Sequence, residues 1–251
     1  GKVGNVTGQR VGGYERAMDW KGQFCIGETW LVYRGRAADN RPHAHATLQL
    51  TVSLGSEISI SDDQDRLIPG SALCVKAGKH HRLHPSDNVV LVLIEPQSQL
   101  AHYVQSFAGD ADISRVDPNL IAQVNWDGEL ETLFDCLELD SGEVESQMDT
   151  RLMEALKFLR TARLKGAISR AAKSCGLSEP RLRAIAQEQL GVPLSKWLIW
   201  QATRRAAQAM AQGASLADAA YAGGFADQAH LTRTMGKIMG VTPLQALNAG
   251  Q

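Results

Sequence analysis

Hydrophobic and polar positions follow two different periods in this chain. Up to about Glu95 they alternate in short runs, as in Thr47-Leu48-Gln49-Leu50-Thr51-Val52 and Ile58-Ser59-Ile60-Ser61. A period of two places successive side chains on opposite faces and predicts strands. Clusters such as Ser61-Asp62-Asp63-Gln64-Asp65 and Pro69-Gly70 punctuate them as turns. Val89 to Ile94 is apolar throughout, which predicts a strand buried on both faces. Many short strands at this spacing predict a barrel or sandwich. A helical period then takes over. Leu100, Tyr103, Val104 and Phe107 share one helix face, as do Leu130, Leu133, Phe134 and Leu137. Asp140-Ser141-Gly142-Glu143 reads as a linker, and beyond it Leu152, Leu156 and Leu159, then Ile199, Thr203, Ala206 and Met210, are all helix-spaced. The fold class expected is α+β multidomain: a β-barrel over residues 1–95, a helical linking region over 96–147 available for dimerisation, and an all-α domain over 148–251.

The last third repeats itself. Ile168-Ser-Arg-Ala-Ala-Lys-Ser-Cys-Gly176-Leu177-Ser178 aligns with Leu216-Ala-Asp-Ala-Ala-Tyr-Ala-Gly-Gly224-Phe225-Ala226, and further on Leu182 aligns with Leu231 and Gly191-Val192 with Gly240-Val241. Each copy is a short alanine-rich helix, a glycine, an apolar residue and a second helix. Ala171, Ala172, Ala219 and Ala220 let two helices cross closely. Gly176 and Gly224 can take the positive φ that ends the first helix, and Ser178 and Asp227 are residue types that cap the start of the second. That is the architecture of a helix-turn-helix, whose second helix enters the DNA major groove with its N-terminal residues at the base edges. Arg181, Arg183 and Arg233 can donate to guanine, and Gln228 can pair with adenine. Ser195 is the expected cap of the helix joining the two units, with Arg204 and Arg205 turned outward from it. Some 17 residues of helix, roughly 25 Å, could hold two recognition helices in successive grooves.

Charge sharpens this reading. From Asp149 onward there are 14 Lys and Arg against 6 Asp and Glu, while residues 1–148 hold 12 against 21, so a formal charge of −1 hides a basic end and an acidic end. A basic module suits a polyanion. Cys25, Cys74, Cys136 and Cys175 form no CxxC pair, no leader pattern is visible, and no stretch approaches the roughly 20 apolar residues of a membrane span. Reduced thiols, a cytoplasmic location and no membrane partner are the expectations.

The segment from Ala220-Tyr-Ala-Gly-Gly224-Phe225 through Asp227, Gln228, His230-Leu231, Arg233 and Met235 to Gly240-Val-Thr242-Pro243 resembles the signature of the AraC/XylS family of bacterial transcription regulators. Leu177-Ser178, Leu182 and Gly191 resemble its first unit, and the resemblance covers Asp149 to Leu247. It implies that Arg181, Arg183, Gln228 and Arg233 sit where family members contact DNA, and Ser178, Arg204, Asp227 and Lys237 complete the expected DNA-binding surface. The apolar stripes around Leu100–Phe107 and Leu130–Leu137 are candidate contacts of a homodimer, and RNA polymerase is a partner if the protein activates. Leu231 and Met235 stand where phenylalanine is usual, a tolerable core exchange. Ala184 and Ala229 replace common polar residues and imply fewer base contacts.

Residues 1–95 resemble a cupin barrel, the usual N-terminal partner in that family, through His43-Ala-His45, Gln49, and Gly70 to Gly78-Lys-His80-His81. In metal-binding cupins an HxH pair, a Glu and a later His converge on one divalent ion. His43, His45 and His81 fall at those places with Gln49 at the Glu position, and Lys76 departs from the usual proline. The resemblance implies either a divalent metal held by the three histidines or an organic effector, and structural histidines are a third option. Arg34, Arg36 and Arg41 lie in the same region and read as solvated strand ends or as partners for an anionic effector.

The function expected is a ligand- or metal-controlled, sequence-specific DNA-binding regulator. The alternative is a metal-dependent cupin enzyme fused to a DNA-binding domain. It needs an ion with an open position and a base beside it, and Gln49 supplies no anionic charge. No Ser/His/Asp set, phosphate-cradling loop or carboxylate pair appears, so no enzymatic activity is expected.

Overall fold

The computed structural model describes residues 20–137, 139 and 148–243. The proposed linker at 140–143 lies outside them. Among the described residues, nine strands build the N-terminal half. The larger sheet has the order β1 (Lys21–Ile26), β2 (Trp30–Ala37), β8 (Ser86–Ile94), β3 (Leu48–Ser53), β6 (Ala72–Val75), β9 (Ile113–Arg115). The smaller runs β5 (Leu67–Gly70), β4 (Ile58–Ser61), β7 (Arg82–Leu83). Neighbours pair antiparallel.

Strand phase decides what each face buries. On β8, Val89, Leu91 and Leu93 point toward the smaller sheet, while Val90, Val92 and Ile94 point the other way, so the apolar run is buried on both sides. On β3, Leu48, Leu50 and Val52 also face away from the smaller sheet. Thr47, Gln49 and Thr51, in the opposite phase, are fully buried. The polar half of the alternation is therefore the inward half. A buried polar line inside a barrel must be hydrogen-bonded or be there for a ligand.

The outer face of the larger sheet is covered by α1 (Gln99–Ser106), by α2 (Pro118–Gln123) and by residues 124–137. Of the expected stripe, Leu100 and Val104 are buried on that sheet, while Tyr103 and Phe107 pack against it half-buried. Leu130, Leu133, Phe134 and Leu137 are buried there too, but residues 131–136 run as consecutive turns rather than as the expected helix. A wall of β-sheet rewards the same apolar spacing in either conformation.

The C-terminal half is helical throughout: α3 (Thr150–Leu159), α4 (Ala167–Ser174), α5 (Glu179–Leu190), α6 (Leu194–Ala211), α7 (Leu216–Gly223) and α8 (Gln228–Met239). Gly176 and Gly224 adopt φ of 66° and 82°. Ser178 accepts a hydrogen bond from Arg181 N to cap α5, and Asp227 accepts one from His230 N at 2.7 Å to cap α8. Pro193, not Ser195, precedes α6, and its φ of −58° leads directly into the helix without a side-chain cap.

The two halves share a core. One continuous set of buried side chains runs from Leu31, Leu91 and Leu93 inside the barrel to Leu152, Leu182 and Trp197 in α3, α5 and α6. No described helix is long and apolar enough to cross a membrane.

Candidate functional site

Three features lie where the barrel meets the helices: a histidine cluster, an apolar cavity and a buried polar network.

The cluster forms where two loops pair. His43 N donates to His81 O at 3.0 Å, and His81 N donates back to His43 O at 2.9 Å. His43, His45 and His81 are all buried, and their ligand nitrogens lie within 4.8 Å of one another. Each Nδ1 meets a carbonyl, of Arg41, Thr47 and Lys79, at 2.8, 3.0 and 2.9 Å. A carbonyl only accepts, so each Nδ1 carries the proton and each neutral ring keeps its Nε2 lone pair. Burial is the first cause lowering all three basicities, to about 4 for His45 and well below the usual value for His81. Gln49 Oε1 lies 3.1 and 3.0 Å from His45 and His81 Nε2. Lone pairs facing an oxygen repel. Because burial opposes a second ring proton, rotation of the carboxamide to offer its NH₂ is the relaxed arrangement without an ion.

These depressed values make a stability prediction. The folded-state basicity lies below the unfolded one, so the unfolded chain takes up the protons that the folded chain refuses. Stability is then unaffected above about pH 6.5 and falls as pH drops below it. By pH 4, with its folded value near 4, His45 alone should cost on the order of 3 kcal/mol. Urea midpoints of the metal-free protein between pH 7 and 4 check this against His45→Gln, which should flatten the loss.

The cavity has a volume of about 100 Å³. Phe24, Leu31, Tyr33 and Leu93 of the barrel form one wall, Met210 of α6 and Met235 and Met239 of α8 form the other, and His43, His45 and Gln49 reach its edge. No carboxylate lines it among the described residues. The enzyme alternative therefore has no acidic base there. Two lining groups are buried without a hydrogen-bond partner among the described residues: the Trp20 indole N–H and the Asn40 side-chain oxygen. An unpaired buried donor and acceptor is costly, which marks them as groups a ligand would satisfy.

The network centres on Glu95, fully buried at the end of β8. It accepts from Gln97 Nε2 at 2.6 Å, Gln201 Nε2 at 2.7 Å and Arg160 Nη2 at 3.0 Å, and Arg204 Nη1 stands 3.6 Å away. Trp197 Nε1 donates to Gln97 Oε1 at 3.1 Å. Arg204, expected on the DNA surface, is turned inward and also donates to the Gly27 carbonyl. Arg205 likewise faces in, donating to the carbonyls of Ala162 at 3.0 Å and Gly223 at 2.8 Å. Periodicity alone set both outside. A buried carboxylate from the other half of the chain, and helix-end carbonyls lacking donors, draw them back.

The other expected DNA residues lie on the two second helices of the repeat. Arg181 and Arg183 are exposed on α5, the latter paired with Glu179 at 2.7 Å. Gln228, Arg233 and Lys237 are exposed on α8. Ser178 and Asp227 cap those helices. Arg34 donates to the Trp126 and Gly128 carbonyls and is a structural tie.

Residues 171–249 match the family model described as a helix-turn-helix domain. The end of the chain thus carries a helix-turn-helix domain. No curated protein matches the chain. Among solved structures, ToxT from Vibrio cholerae O395 is similar at a TM-score of 0.55 and 15% identity, over 88% of this chain and 98% of that one. ToxT bound to (E)-4-(8-methylnaphthalen-1-yl)but-3-enoic acid gives 0.57 and 13%, over 89% and 100%. ToxT of strain SCE256 bound to an unsaturated fatty acid gives 0.52 and 13%, over 88% and 95%. At these identities the likeness is one of fold: a sheet-rich N-terminal half followed by the helix-turn-helix domain.

Proposed function

We propose that this chain is a sequence-specific regulator in which Arg181, Arg183, Gln228 and Arg233 read DNA and an effector bound between barrel and helices controls them. The observation that carries the reading is the cavity whose walls come from both halves. A ligand there touches α6 and α8 as well as β-strands, so its affinity must differ between docked and parted arrangements, which is the requirement for control.

The lining gives the effector its class. The walls are apolar, with one unused donor on Trp20 and one unused acceptor on Asn40. A mainly apolar molecule with an uncharged polar end, such as a protonated carboxylic acid, an alcohol or an amide, satisfies both. The apolar acids held by ToxT support this class. About 100 Å³ admits a body of roughly benzene size, so a larger effector must push the halves apart. Ala207→Trp, which fills the cavity from α6, should remove the effector's influence and leave DNA binding within about threefold. Anisotropy titrations of a selected duplex with and without a panel of apolar acids measure both. A response that survives the substitution would place the effector elsewhere.

The histidine cluster favours a second ingredient. Three neutral imidazoles, each oriented by a backbone carbonyl, are the donor set of a divalent zinc, iron, nickel or manganese ion. His43, His45 and His81 would hold it and Gln49 would complete it without adding charge. The ion would supply a fixed positive charge at the cavity edge. Native mass spectrometry with metal analysis should show an ion lost in His43→Ala and in His81→Ala. An unchanged apo mass in metal-supplemented buffer would leave the cluster as a hydrogen-bonded core.

A further inference from the structure

A second cleft, of about 810 Å³, opens beside the histidine cluster. Its walls come from three places: the barrel turn from Arg41 to Ala46 with His80, the start of α6 at Ser195 and Lys196, and α8 at Thr232, Arg233, Gly236 and Lys237. With Thr234 and Ile238 also lining it, the cleft is bordered by the middle and end of α8, the stretch that carries Arg233.

Its charge is one-sided. No Asp or Glu lines it among the described residues, and the side chains of Arg41, Lys196, Arg233 and Lys237 make no hydrogen bond or ion pair with any described residue. Other exposed cations of the barrel have a carboxylate beside them, as Arg66 has Asp62, Lys79 has Asp112 and Arg82 has Asp39. Four exposed cations around a cleft without a carboxylate give it a positive potential that attracts a polyanion. Arg41 stands out because it belongs to the acidic half of the chain.

The turn carrying Arg41 is held against the C-terminal end of α8. Gly240 ends that helix at φ 69°, and a Cβ there would lie 2.9 Å from both Arg41 O and His43 Nδ1. In the first repeat the contact falls one residue later: Gly191, the match of Gly240, has open space beside it, but Val192 packs on the barrel, where a Cβ on Gly78 would meet it at 2.9 Å. Both helix-turn-helix units therefore rest their closing turns on the loops that carry His43 and His81. A recognition helix reads bases with its N-terminal half. Its C-terminal end then nears the sugar–phosphate wall of the groove, which is where Arg41 is held.

We propose that the barrel itself takes part in DNA binding, with Arg41 contacting a backbone phosphate and His80 beside it, as an extension of the surface on α8. This rests on the DNA reading above. The contact is to phosphate and so carries no sequence preference.

The test uses the full chain and anisotropy titrations on a selected duplex and a scrambled one, between 50 and 200 mM salt. Arg41→Ala should weaken both duplexes by the same factor, about 5- to 10-fold at 0.1 M salt, and lower the slope of log affinity on log salt by about 1. Arg41→Lys should retain the slope, and Lys79→Ala, whose ammonium is already paired with Asp112, should change nothing. Unchanged affinity and slope in Arg41→Ala, with wild type still selective, overturns the proposal and leaves the DNA reading intact. Tighter binding by Arg41→Ala overturns it by showing that the turn obstructs DNA. A wild-type protein that does not distinguish the two duplexes overturns the underlying reading.

Discussion

Replacing Glu95 by alanine should cost about 3–5 kcal/mol and uncouple the barrel from the helices. Glu95 is the fully buried carboxylate of the network joining the two halves, and among the described residues it faces Arg160, Arg204, Gln97 and Gln201. Its removal leaves Arg204, whose side chain is 16% exposed, with only the weaker attraction of Glu28 as counter-charge. Losing one partner of a buried pair is far more damaging than never having had the pair, because the surviving charge stays desolvated. Burial already leads the causes that lower Arg204 basicity, with Glu95 the first to oppose it. Arg160 is 29% exposed and can turn to water, which holds the effect to the stated range. Scanning calorimetry should show one transition for wild type and, for Glu95→Ala, a lowered or split one. Glu95→Gln keeps the shape and one acceptor oxygen, losing the charge and one of the two amide hydrogen bonds, and should fall between. A single transition within about 1 kcal/mol of wild type in Glu95→Ala would mean that the apolar contacts alone hold the halves together.

The largest functional loss is expected from Arg181→Ala and Arg233→Ala combined. They sit on different helix-turn-helix units and share no partner, so their effects should add. At about 1–3 kcal/mol for each base contact, the pair should lose about 2–6 kcal/mol on the selected duplex. On a scrambled duplex the loss should be small. An equal loss on both duplexes would make these arginines phosphate contacts and move base reading to Gln228 and its neighbours. Both side chains are exposed, so folding is not at stake.

Much of this was legible in the sequence because local rules and global packing agree there. Gly176, Gly224, Ser178 and Asp227 announce turns and caps by residue type, and the structure gives each that geometry. The histidines at 43, 45 and 81 come together as the cupin resemblance implied. The rest depended on contacts between distant segments. Glu95 closes an apolar strand and reads as a boundary; only its partners, 65 and 106 positions away, make it a buried hub. Arg204 looks solvent-facing by helical phase until the barrel is set beside α6. The cavity was hidden for the same reason, since Met210 and Met235 read as core of the helical half alone. Proline 193 shifts the start of α6 ahead of Ser195, a matter of one or two residues that a pattern cannot resolve.

The most direct measurement of the central claim is selection of the full-length protein against random duplexes at about 0.15 M salt. Two helix-turn-helix units joined by α6 predict an enriched site of two short blocks about one helical turn apart, with one block lost in Arg181→Ala and the other in Arg233→Ala. Enrichment of no sequence, or of a single block indifferent to both substitutions, would contradict the account.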